Sequence, residues 1–176
     1  MTEVIIQSEH ELGRRVTACR SCGGERLREV LDLGSTPIAN ALAAIDAPDG
    51  DPSYPLIIVF CEDCALVQLG YELPADAIFD DDYPYFSSFS DELCRHAAAN
   101  VRDLIDQRGL QPHHFAVEVA SNDGYLLKNF VEAGIRTLGV DPSPGPAAAA
   151  QSIGVPTIVD FFGVATADAI VEDGAV

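Results

Sequence analysis

Positive charge is scarce in this chain. Its 176 residues hold 10 lysines and arginines against 28 aspartates and glutamates, a formal net charge of −18. A field of that sign repels phosphate backbones and anionic membrane surfaces, so neither nucleic acid nor a membrane is expected as a partner. Long apolar runs are missing too, and none reaches the roughly 18 residues that a membrane-spanning helix needs. Residues 1–11 mix acids with apolar residues and lack the basic-then-apolar build of a signal peptide, which makes a cytoplasmic location the expectation. The acids are spread along the chain. Their one dense cluster, Asp80, Asp81 and Asp82, suits a solvated face.

Against those absences stands an ordinary globular composition, 48% apolar and 22% charged. It also holds five cysteines. Four of them form two C-x-x-C pairs, Cys19 with Cys22 and Cys61 with Cys64. Disulfides are disfavoured in a cytosolic chain, so paired cysteines point to metal. Tetrahedral zinc wants soft thiolate ligands, and each pair forms a two-toothed clip, with Gly23 and Gly24 permitting the tight turn behind the first. Four cysteine ligands leave no open position, so the zinc is expected to be structural. Neither pair sits between a strand and a helix as a redox motif should. The fifth cysteine, Cys94, reads as a small core residue on a helix.

The chain changes character twice, which predicts three segments: residues 1–75, 76–114 and 115–176. The first is rich in turns and short strands, with residues 56–60 and 65–71 read as the strands entering and leaving the second cysteine pair. The second holds an aromatic, hydroxyl-rich loop over residues 83–90, then a helix with Leu93, Ala97, Val101, Leu104 and Ile105 at helical period. Ser88 or Ser90 caps its start and Gly109 ends it. From residue 115 strands alternate with helices: strands over 115–120, 136–140 and 157–159, and helices over 125–133 and 164–171. That order predicts an α/β fold with a parallel sheet. With only three strands before the chain stops, the sheet reads as part of a larger doubly wound domain, and the chain as a truncated one.

The dinucleotide pattern G-x-G-x-x-G is absent, because Ala120, Asn122 and Tyr125 stand where its glycines belong, and a nicotinamide cofactor is disfavoured. Instead the small or turn-tolerant residues Ala120, Asn122 and Gly124 follow Glu118 at every second position. This spacing suits a ligand lying against the backbone, and asparagine tolerates the left-handed conformation. Asp141 and Asp160 end the next two strands, Asp141 placed to accept from ribose hydroxyls, Asp160 beside Phe161 and Phe162 where an adenine fits. Acids at three successive strand ends point to a nucleoside-type ligand.

In their order along the chain these motifs resemble the N-terminal part of the zinc-containing sugar C-methyltransferases. The resemblance is carried by Cys19-Arg20-Ser21-Cys22-Gly23, Leu31-Asp32-Leu33-Gly34, Thr36-Pro37-Ile38-Ala39-Asn40, Cys61-Glu62-Asp63-Cys64, Tyr83-Pro84-Tyr85-Phe86-Ser87-Ser88, residues 118–127 and Gly139-Val140-Asp141-Pro142-Ser143. It implies a small zinc-binding domain followed by a partial Rossmann-like methyltransferase domain. It further implies methyl transfer from S-adenosyl-L-methionine to a carbon beside a keto group on a nucleotide-linked deoxysugar. A cofactor site lined by Phe86, Ser88, Glu118, Ala120, Asn122, Gly124, Tyr125, Leu126, Asp141, Pro142, Asp160 and Phe161 follows, with Tyr83 and Tyr85 near the reacting centre. The family's base lies on later strands with a histidine-bearing segment; His10, His96, His113 and His114 here do not match it. Two alternatives stay open: a zinc-bearing interaction module without catalysis, and a methyltransferase with a non-sugar small-molecule acceptor.

Overall fold

The computed structural model describes residues 12–42 and 51–172. Expectations that fall on residues 1–11, including His10, lie outside that range. The chain divides into two compact units, Met1–Ile78 and Phe79–Val176.

In the first unit, β1 (Arg14–Arg15) pairs antiparallel with β5 (Tyr71–Glu72), and β2 (Leu27–Pro37), β3 (Ser53–Cys61) and β4 (Val67–Leu69) form an antiparallel sheet in that order. The centre of the sheet follows from alternation on β3: Ile57, Val59 and Cys61 are buried on one face, as a period of two requires. The sequence signalled a strand at 56–60, and the structure extends it at both ends. The sequence carries no clear signal for the 11-residue β2. Its acids and Gly34 break the alternation, and two register shifts, between Glu29 and Leu31 and between Asp32 and Ser35, absorb the mismatch.

The second unit begins with the aromatic loop and α1 (Asp91–Arg108). Ser90 caps α1, its hydroxyl accepting the Leu93 N–H, and Gly109 closes it in the left-handed conformation at φ 61°, as the sequence predicts. Then come β6 (Phe115–Val119), α2 (Leu127–Glu132), β7 (Arg136–Asp141), α3 (Pro144–Ser152), β8 (Thr157–Val159) and α4 (Val164–Glu172). The three strands pair parallel in the order β6, β7, β8. This is the expected α/β architecture with a Rossmann-like sheet. Helix α3 escaped the sequence reading because Pro144, Gly145 and Pro146 look like breakers; proline is tolerated in a first turn, where its missing N–H has no partner to lose. One apolar cluster joins the helices to the sheet: Val101 from α1, Leu127 and Phe130 from α2, with Ile135, Ala150 and Val155.

Gly139 sits mid-strand on β7, and its lack of a side chain makes room for the fully buried Ser121 of the turn after β6. A Cβ there would meet Ser121 Oγ, with Ser121 Cβ at 2.9 Å and Thr157 Oγ1 at 3.0 Å. Gly139→Ala is expected to destabilise the chain by about 1–3 kcal/mol through overpacking, read as a lower urea midpoint.

Candidate functional site

The two cysteine clips fold into the same local shape. In each, the N–H of the residue after the second cysteine returns to the carbonyl of the first: Gly23 to Cys19 at 2.9 Å, Ala65 to Cys61 at 2.9 Å. That residue is left-handed in both clips, Gly23 at φ 73° and Ala65 at φ 65°. Glycine adopts this conformation freely, whereas the alanine strains to do so.

The clips bring all four thiols together, every sulfur within 4.8 Å of the others. Cys19 Sγ lies 3.6 Å from Cys64 Sγ, and Cys22 Sγ 3.7 Å from Cys61 Sγ. A tetrahedron with zinc–sulfur arms of about 2.3 Å has edges of about 3.8 Å, so the donor set fits zinc in both chemistry and spacing. Backbone hydrogen bonds from Cys22 and Ser21 hold the Cys19 thiol down to about 7, which favours its thiolate, whereas the neighbouring thiols of the cluster push Cys64 up to about 12 and Cys22 above its ordinary value. Arg26 pairs with Glu62 and Asp63, and Arg28 with Glu62, tying the second clip to β2.

In the second unit the strand-end turn is built from left-handed residues at alternate positions: Ala120 at φ 59°, Asn122 at φ 48° and Gly124 at φ 76°. The turn is tied to the next strand end. Asp141 is buried, and its Oδ2 accepts the Asn122 N–H at 2.8 Å while its Oδ1 accepts the Ser143 N–H at 2.9 Å. The aromatic loop lies on the same turn. Asn122 Oδ1 accepts the Ser87 N–H at 2.8 Å, Asn122 Nδ2 donates to the Tyr85 carbonyl at 3.1 Å, and Asp123 Oδ2 accepts the Ser88 N–H at 3.0 Å.

Of the predicted site residues, Phe86, Ser88, Glu118, Ala120, Asn122, Gly124, Tyr125, Leu126, Asp141 and Pro142 therefore lie on the loop, the turn or the strand ends that join them. Phe86 stacks on Phe89 at 5.3 Å between ring centroids. Tyr83 packs on Phe79 at 5.3 Å, and Phe79 meets Phe161 edge-on at 6.5 Å, so Phe161 reaches the loop's aromatic group. Tyr85 keeps an open ring, 45% exposed. Asp160 is turned to its own segment, accepting from the Phe161 N–H at 2.8 Å and the Thr166 hydroxyl at 2.9 Å. Cys94 is half-buried on α1, its thiol 3.8 Å from the Ser88 carbonyl. Among the histidines, His96 is exposed on α1 and His113 stacks on His114 at 4.1 Å.

Sequence reasoning missed Asp123, Ser121 and Ser143. All three are buried, and Asp123 Oδ1, Ser121 Oγ and Ser143 Oγ have no hydrogen-bond partner. Glu118 Oε2 shares that condition. Burial, then the negative charges of Asp141 and Asp123, push the Glu118 carboxyl up to about 7. Burial, then Glu118, also raises the Tyr125 phenol above its ordinary value. Unpartnered buried polar atoms gathered around one turn leave it open to further hydrogen-bond partners.

Residues 19–79 match the family described as "Putative zinc binding domain". Over 153 residues, 86% of this chain, the sequence is 34% identical to C-methyltransferase NovU from Streptomyces niveus. Most of the chain is thus similar to part of a C-methyltransferase, and its N-terminal part is similar to a zinc-binding family. It spans 36% of that protein's length. An X-ray structure of YjhP from E. coli matches 47% of the chain and 34% of its own at a TM-score of 0.31 and 19% identity, too slight a likeness to carry an argument. Among the described residues no helix is long and apolar enough to cross a membrane.

Two expectations follow. The chain binds one zinc, and Cys22→Ser or a strong chelator releases it. Structural zinc contributes about 10–16 kcal/mol in small domains, so hydrogen exchange should rise sharply across β3 and β4 while β6 and β7 stay protected; an unchanged exchange pattern after metal removal would contradict a structural role. The second concerns pH. Glu118 has a folded-state value near 7 against an ordinary 4.5, so its ionisation opposes folding. The penalty is absent below 4.5, grows as pH rises toward 7, and is constant above. Glu118→Gln should therefore match the parent's stability near pH 4.5 and exceed it by about 1–2 kcal/mol at pH 8, after allowance for solvent screening. Urea titrations at the two pH values read the difference, and an equal gap at both would rule Glu118 out.

Proposed function

We propose that this chain carries the zinc-binding domain and part of the cofactor domain of an S-adenosyl-L-methionine-dependent enzyme that methylates a carbon beside a keto group of a nucleotide-linked deoxysugar. The observation that carries the reading is the turn after β6: left-handed Ala120, Asn122 and Gly124 beside the unpartnered carboxylate oxygen of Glu118. No glycine-rich pyrophosphate loop is present, so a nucleoside without a pyrophosphate is the better match. Kinship to a C-methyltransferase supports the same class.

When bound, the sulfonium of the cofactor supplies an electrophilic methyl group. The chain's residues divide the remaining work. Glu118 offers an acceptor to the donors of the methionine and ribose parts, and the buried hydroxyls of Ser121 and Ser143 stand at the same strand ends. Asp141 and Asp160 hold the ends of β7 and β8, where ribose and adenine are expected, with Pro142, Leu126 and Phe161 as apolar walls. Gly124 keeps the backbone close to α3: a Cβ there would meet Ala150 at 3.1 Å and Val155 at 3.1 Å. The loop with Phe86 and Ser88 excludes water above the turn. Tyr85, whose ring is open, and Tyr83, packed on Phe79, are the phenols we assign to the reacting centre. A carbonyl acidifies the neighbouring C–H, and a positioned proton acceptor exploits this. The zinc stabilises the first unit and takes no part in the chemistry. Free zinc-ligating thiols fit a reducing cytoplasm.

Titration calorimetry of the zinc-loaded chain with S-adenosylhomocysteine tests the reading. Saturable one-to-one binding is expected, weakened at least tenfold, about 1.4 kcal/mol, by Glu118→Ala. An unchanged heat trace on adding the nucleoside would sink it.

A further inference from the structure

Asn122 holds both polar atoms of its side chain in one task. The carboxamide takes the Ser87 N–H on Oδ1 and gives its own N–H to the Tyr85 carbonyl, and Asp123 next to it takes the Ser88 N–H. Two adjacent, buried side chains thus satisfy three backbone groups of residues 85–88. That stretch belongs to no sheet, and unpaired backbone groups packed against a turn are costly. The clamp also has a base. The Asn122 N–H is held by Asp141 Oδ2, and its φ of 48° is a conformation that asparagine tolerates and most residues avoid.

We propose that Asn122, backed by Asp123, is a positioning residue: its carboxamide locks the loop bearing Tyr85 onto the strand-end turn, and is not a group left free for the cofactor. The geometry connects three segments through side chains, from the loop to Asn122, from Asn122 to Asp141, and from Asp141 to Ser143. The role it assigns to Tyr85 rests on the methyltransferase reading, whereas the clamp stands on the hydrogen bonds themselves. Asparagine is suited to both demands. Glycine adopts the backbone angle but has no side chain, and glutamine has the carboxamide but disfavours the angle.

Fluorine NMR of the full zinc-loaded chain, labelled with 3-fluorotyrosine, provides the test. There are five tyrosines, and Tyr85→Phe assigns the one that matters. Asn122→Gly keeps the left-handed backbone and deletes the clamp. Its Tyr85 signal should move to the position of free fluorotyrosine and sharpen, and chymotrypsin should cut within residues 83–89 at least tenfold faster. The Tyr125 signal, from the same unit, should stay in place. Asn122→Asp retains the acceptor for Ser87 but loses the donor to Tyr85, so it should give an intermediate shift; this variant decides the matter if Asn122→Gly also disturbs Tyr125. A Tyr85 signal and a cleavage rate unmoved by both substitutions would overturn the proposal. Binding of S-adenosylhomocysteine to the parent chain is scored separately: a Tyr85 shift in a chain that binds none keeps the clamp and removes the cofactor reading.

Discussion

Asp141 accepts the N–H of Asn122 through one carboxylate oxygen and the N–H of Ser143 through the other. These bonds join the turn after β6 to the turn after β7, the two places where a parallel sheet presents its carboxyl edge. A buried carboxylate tolerates burial when it receives charge-assisted bonds from backbone amides, and here those amides are the ones that define the turns. The left-handed run through Ala120, Asn122 and Gly124 depends on this tie, and the aromatic loop depends on that run. Glu118 sits next to Asp141 and Asp123 without such amides, so it carries the electrostatic strain of the site.

The first unit is governed by a different constraint. Its small sheet leaves β2 mostly exposed, and among its described residues the buried apolar ones are few. A domain of this size with so little core needs a staple. The four sulfurs provide one by gathering two distant clips to one point, and the arginine pairs to Glu62 and Asp63 add only modest exposed contacts. Both clips share one backbone geometry despite a glycine in one and an alanine in the other. The return bond and the ligand spacing impose that shape more strongly than residue preference opposes it.

Much of this was legible in the residues. Spacing of two between cysteines, small residues at alternate positions after Glu118, acids at successive strand ends and the Ser90 and Gly109 signals of α1 are local patterns with local causes. Strand β2 and helix α3 were not, because each holds residues that oppose its own structure: Gly34 and the acids in β2, Pro144 and Gly145 in α3. Pairing with β3 overrode the first, and packing of Ala147 and Ala150 into the unit's core overrode the second.

By itself the sequence determined which groups are available: four thiols in two clips, a turn able to go left-handed, and acids that end strands. Chain-local chemistry is enough for that. Only the tertiary structure decided how those groups are used. It placed all four sulfurs within 4.8 Å of one another, gave both oxygens of Asp141 to backbone amides, and turned the Asn122 carboxamide toward a loop 35 residues earlier in the chain. Partners that far apart in sequence are chosen by how the elements pack, and no local pattern encodes which buried acceptor will be met and which left open.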